Sequence, residues 1–167
     1  MRLPYNNFKT AIKTQLDLFN TTTAAVDISG SLTTRIAEVA CIDVDRRANK
    51  LSKFPAIYIK YLNKTSELMI DNRSGNADRE VRLNLDVCCV YNKFTSADDE
   101  LEKMVENVDT FFRYNIDLNN YQTGTTKLLY INPVSIDFKT YDVNDSYFNR
   151  SANITLEAVF NVRGSLT

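Results

Sequence analysis

The chain has 167 residues, 44% hydrophobic and 25% charged, with Lys+Arg 20 against Asp+Glu 21 and a net charge of −1. A chain of this length buries roughly two-thirds of its unfolded surface and needs no staples. No apolar run is long enough for a membrane span, and the balanced charge offers no basic field for nucleic acid. His is absent and the three Cys are scattered or adjacent, which argues against both a zinc site and a disulfide framework.

Asn6 or Asn7 can cap a first helix in which Phe8, Ala11, Ile12, Leu16 and Phe19 form one apolar stripe, ended by Asn20 and the run Thr21 to Thr23. The N-terminus carries one early charge, Arg2, followed by polar residues, so no secretory signal is expected. Ser29-Gly30-Ser31 marks a turn. From Thr34 to Val44 two patterns compete: Ile36, Val39 and Ala40 fit a helix, whereas Ala40, Ile42 and Val44 against Cys41 and Asp43 fit a strand, the reading adopted here. Asp45 to Lys53 is a polar connection whose Arg46, Arg47, Lys50 and Lys53 read as a solvated loop, with phosphate contact as the weaker alternative.

Pro55 opens a strand in which Ile57, Ile59 and Tyr61 alternate with Tyr58 and Lys60. Between Leu62 and Arg79 comes an unusual connection: Glu67-Leu68-Met69-Ile70, then the turn-rich residues Asp71 to Asp78. If the flanking strands pair, this insertion is a protruding hairpin arm with a polar tip and an apolar patch at its base, and Leu68, Met69 and Ile70 either fold back on the core or meet a partner.

Val81, Leu83, Leu85, Val87, Cys89 and Tyr91 then alternate with Glu80, Arg82, Asn84 and Asp86 as a strand with one wet face. From Val87 to Tyr91 every residue is apolar, which predicts cover on both faces, with the following helix as the obvious cover. Ser96 and Asp99 make a capping box, and Asp98, Asp99 and Glu100 complement the helix dipole. Leu101, Met104, Val105, Val108 and Phe111 form the helix's apolar stripe.

Asn115 to Thr126 is an Asn- and Thr-rich loop. Lys127 to Ile131 starts a strand, Pro133 forces a bulge or an edge, and Val134, Ile136 and Phe138 continue its apolar face. In the last strand Ala152, Ile154, Leu156, Ala158, Phe160 and Val162 alternate with polar residues. These elements predict one α+β domain over residues 1–167: a mainly antiparallel sheet of four to five strands, two helices on one face and the long hairpin arm. Strand order stays open, including a parallel crossover through the second helix.

No reactive constellation emerges. Without His, a base must be a carboxylate or Lys. The densest acids are explained by the helix dipole, pairs such as Asp43/Asp45 or Asp137/Asp142 lack a metal motif, and the four Gly form no phosphate loop. Tyr58, Tyr141 and Tyr147 fall off the core-facing periods, and aromatic residues on a wet face are interface material. The expectation is contact and not catalysis, with no metal and no cofactor.

The order of elements resembles the tail terminator proteins of long-tailed bacteriophages. The resemblance runs from Phe54-Pro55-Ala56-Ile57-Tyr58-Ile59 through the hairpin arm, the strand Val81 to Tyr91 and Ser96-Ala97-Asp98-Asp99-Glu100-Leu101, to the final pair Val134 to Asp142 and Ser151 to Val162. It implies a structural virion protein: copies, six in that family, form a ring that caps the tail tube and stops its growth. The other side of the ring would meet the neck or head, with DNA only as cargo through the lumen, after assembly in the host cytoplasm. Candidate subunit or tube contacts are Leu68, Met69, Ile70, Asn72, Arg73 and Asn76 of the arm, with Arg46, Arg47 and Tyr58. A neck or head-completion protein is the alternative, and a small carboxylate- or metal-dependent enzyme the third.

Overall fold

The structure, a computed structural model, describes residues 5–42, 53–70, 76–92, 97–139 and 149–165; residues 5, 6, 42, 61–70, 76, 77, 92, 97, 149, 164 and 165 are described by their backbone course. Two helices, α1 (Tyr5–Phe19) and α2 (Ala97–Tyr114), accompany six strands: β1 (Glu38–Ile42), β2 (Ala56–Ile70), β3 (Asn76–Asn92), β4 (Gln122–Thr123), β5 (Thr126–Lys139) and β6 (Asn149–Ser165). The strands form one sheet in the order β1-β2-β3-β6-β5-β4. β1 pairs parallel with β2 and every other neighbour is antiparallel.

The α+β class stands, but the expected four to five mainly antiparallel strands are six in a mixed sheet. Two residues of β4 are too few to show a period. The stretch between Ile42 and Ala56 is long enough for the crossover a parallel pair requires, about a dozen residues. The crossover considered for the second helix also exists in a split form: α2 links β3 to β5, which run in the same sense with β6 between them.

The centre of the sheet follows the alternation in the sequence. Val81, Leu83, Leu85, Val87 and Cys89 of β3 stand opposite Phe160, Ala158, Leu156, Ile154 and Ala152 of β6, and all ten are buried. Both helices lie on that face. Leu101, Met104, Val105, Val108 and Phe111 of α2 are buried as the stripe predicts, with Phe112 widening it. Burying the five predicted side chains contributes on the order of 10 kcal/mol gross, an upper bound because the denatured chain is itself compact. Phe8, Ile12 and Leu16 anchor α1, whose rings tie the layers together: Phe8 meets Phe160 edge-on at 4.7 Å and Phe19 meets Phe111 at 5.1 Å. Asn6 and Asn7 lie inside α1, so neither caps it. Ser96, expected as the cap of α2, lies outside the described residues.

Other expectations change. The strand assigned to Thr34–Val44 is real over Glu38–Ile42, but with the opposite parity. Val39 and Cys41 face the core because the parallel register sets them beside Ile57 and Ile59. Residues Val87 to Tyr91 are all buried, yet the helices cover only one face; on the other, Cys88 and Val90 sit beside Tyr58 and Ala56. The insertion after Leu62 is strand and not loop. Leu68, Met69 and Ile70 pair with Glu80, Arg79 and Asp78, leaving residues 71–75 as the connection. β6 flanks β3 out to Asn76↔Ser165, so the arm is a three-stranded extension of the sheet instead of a lone hairpin.

After α2 the chain turns through three consecutive left-handed residues, Leu118, Asn119 and Asn120, with φ of 48, 58 and 59°. Asn tolerates that region; Leu does so less readily, and burial of the Leu118 side chain compensates. The Asn119 N–H donates to Asn115 Oδ1 at 3.0 Å. The turn then seals part of β5, with the Ile131 N–H donating to Ile116 O at 2.7 Å and the Leu128 N–H to Tyr121 O at 3.0 Å. Gly124, at φ 55°, closes the tight turn between β4 and β5.

Leu101→Asp is expected to lower stability by several kcal/mol by placing an unpaired charge against the core, measured by urea unfolding. Tyr121→Phe should be neutral or mildly stabilising, because the buried hydroxyl has no hydrogen-bond partner among the described residues. A loss above about 1 kcal/mol in the Phe variant would reveal a partner for that hydroxyl.

Candidate functional site

The acids at the start of α2 divide. Asp98 is exposed and pairs with Arg150 at 3.0 Å. Asp99 is also exposed, as a dipole complement would be. Glu100 instead turns inward and holds the connector between α1 and β1. Its Oε2 accepts from the Thr33 N–H at 2.9 Å, the Thr33 hydroxyl at 3.0 Å and the Tyr91 hydroxyl at 3.3 Å, while Oε1 meets Lys103 at 3.2 Å. Burial alone would raise this carboxyl, but the donors on Thr33 and Lys103 outweigh it and hold the group below the ordinary glutamate value of 4.5. A second clamp lies one helical stretch later, where Asn107 Nδ2 donates to Ser31 Oγ at 2.9 Å and Ile28 O at 3.2 Å. In the connector itself, Arg35 grips both oxygens of Asp27 at 2.8 and 2.9 Å, and that pairing lowers the Asp27 carboxyl. All three arrangements position the chain.

Among the described residues no three His, Cys, Asp or Glu side chains gather in metal-binding geometry. Burial raises the Cys88 and Cys89 thiols, which keeps them protonated and poor nucleophiles. No helix among the described residues is long and apolar enough to cross a membrane.

On the sheet face away from the helices, polar side chains of β3 and β6 pair with one another beside the buried Cys88, Val90 and Val159. Arg82 Nη2 lies 2.9 Å from Glu80 and its Nη1 3.7 Å from Glu157 on the neighbouring strand. The Thr155 hydroxyl donates to Asp86 at 2.8 Å. Tyr58 is half-buried on this face, beside Cys88, whose thiol it hydrogen-bonds. Near the β4 end an open recess of about 540 Å3 is lined by Lys127, Leu129, Asn161 and Arg163 with the β4 turn.

The surface least like a monomer's is the second half of β5. Val134, Ile136 and Phe138 were expected to continue the buried face, but they are 61%, 43% and 47% exposed. Register explains why. A bulge between Pro133 and Ser135 displaces Val134, while Ile136 and Phe138 stay opposite the buried Ile154 and Ala152 on the helix side, beyond the cover of α2. β4 reaches only Lys127, and the turn after α2 only Ile131, so among the described residues this half of β5 has β6 alone as its strand neighbour.

Of the residues proposed from sequence as contacts, Leu68, Met69, Ile70 and Asn76 lie in the paired backbone of the arm, and Tyr58 lies on the polar face. Arg46, Arg47, Asn72 and Arg73 lie outside the described residues, as do Tyr141, Tyr147 and Asp142. The apolar edge of β5 was missed as a contact surface because Val134, Ile136 and Phe138 have the same alternation as a buried strand. Pro133, which interrupts it, was the available signal.

No family model matches the sequence, and no curated protein matches it. Among solved structures, the chain is similar to one from the virion of a native gene transfer agent particle, with a TM-score of 0.47 and 10% identity over 93% of this chain and 96% of that one.

Replacing Glu100 by Gln should lower stability at pH 7, where the parent carboxylate is ionised and held by its donors. Because the folded-state value lies below the unfolded 4.5, that advantage is complete above 4.5 and fades as the pH falls through the folded value. Urea midpoints at pH 7 and pH 3 are therefore expected to differ less between parent and variant at the lower pH; an unchanged gap would assign the effect to packing.

Proposed function

We propose that this chain is a structural part of a phage-like virion, and within it a tail terminator. Copies close into a ring, six on the family's pattern, that seats on the last disc of the tail tube, halts its polymerisation and offers its other side to the neck or head-completion protein. The chain works by contact and not by catalysis.

The observation that carries this reading is the bare apolar half of β5. Three large exposed side chains along one sheet edge are a liability for a protein that acts alone, and they become useful once covered. The order of elements from Phe54 onward, with its resemblance to tail terminators, supplies the kind of assembly. The net charge of −1 suits a lumen through which DNA slides, because a strongly basic wall would hold the phosphates.

The test is polymerisation of tail tube subunits with and without this protein. A molar excess should give short tubes with a ring at one end in electron micrographs. Unchanged tube lengths would overturn the terminator assignment, and binding to the portal side alone would point to head completion.

A further inference from the structure

We propose that the ring joint is a continuous β-sheet, in which the bare half of β5 from one copy pairs antiparallel with β1 of the next. This inference rests on the ring reading above and specifies its joint.

Strand sense is the first argument. β1 runs with β2, against β3, with β6 and against β5, so the two outer strands of one chain run in opposite senses. Rotation about an axis lying along the strands preserves the sense of each. β5 of one copy therefore meets β1 of its neighbour antiparallel, with the helices of both copies on the same side of the joined sheet. Such a joint uses two unlike surfaces, and rotation closes it into a ring.

Side-chain chemistry is the second. In β1, Val39 and Cys41 face the helix side, with Glu38 and Ala40 on the other face. In β5, Ile136 and Phe138 face the helix side, with Asp137 and Lys139 on the other. A register that puts Val39 opposite Phe138 also puts Cys41 opposite Ile136, Ala40 opposite Asp137 and Glu38 opposite Lys139. Apolar then meets apolar on one face, and acid meets base at the end of the other. The lengths agree too, since the five residues of β1 match the stretch of β5 from Ser135 to Lys139.

The native thiol of Cys41 supplies the test. Directly opposed residues have Cβ atoms about 4.5–5.5 Å apart, close enough for a disulfide after small adjustment. Ile136→Cys, oxidised in the assembled state, should give a ladder of covalent oligomers on non-reducing gels, ending at the ring size and lost when Cys41→Ser is added. Independently, Glu38→Lys or Lys139→Glu alone should abolish the oligomer seen by light scattering, and the double swap should restore it. Rings that persist in micrographs with neither a ladder nor any charge-swap effect would overturn the sheet joint and leave the ring intact. Monomers at every concentration, with and without tube subunits, would overturn both.

Discussion

The pairing of β3 with β6 is the constraint on which the other elements depend. Each strand has 17 residues, paired one to one from Asn76↔Ser165 to Asn92↔Asn149 without a register shift. Because side chains alternate with a period of two, that unbroken register fixes one face as apolar from Val81↔Phe160 to Cys89↔Ala152, and a slip by one residue would turn it inside out. α2 has somewhere to dock only because Leu83, Leu85 and Val87 share a face with Ile154, Leu156 and Ala158. The outer strands inherit their orientation from this pair. Irregularity appears only away from it, as register shifts in β2 and β5.

Those shifts mark the limit of what the sequence discloses. The alternation in β3 and β6 and the stripe on α2 are legible because each residue's environment repeats without interruption over many positions. β1 is legible as a strand but not in its parity: Val39, Ala40, Cys41 and Ile42 are all apolar, and only the neighbouring Ile57 and Ile59 decide which pair turns inward. In β5 the alternation continues past the point where the helix layer ends, so identical letters describe a buried Ile131 and an exposed Ile136. Periodicity reports that a face is apolar; it does not report what covers it. Likewise Glu100 is one of three adjacent acids, and nothing local distinguishes it from Asp98 or Asp99. Its role depends on Thr33, which is distant in sequence and arrives only when the connector folds back.

The two faces of the sheet divide the work of the fold. The helix side holds the core and the aromatic contacts between α1, α2 and β6. On the opposite side Arg82 pairs with Glu80 and Glu157, and Thr155 with Asp86, between the two strands β3 and β6, where the exposed pairs add little to stability. What they supply is hydrogen-bonding and ion-pair partners between the two central strands on the side away from the helices.

The alternation of Asp137 and Lys139 with Ile136 and Phe138 has a consequence for the newly made chain. If β5 strands from many molecules were to stack in register, as in a cross-β fibril, each Asp137 would lie on another Asp137 and each Lys139 on another Lys139 at a spacing of about 4.8 Å. Like charges at that distance repel, and Pro133 ends the ladder just upstream. Runaway fibrillation is thus discouraged within the same short segment that leaves Ile136 and Phe138 exposed.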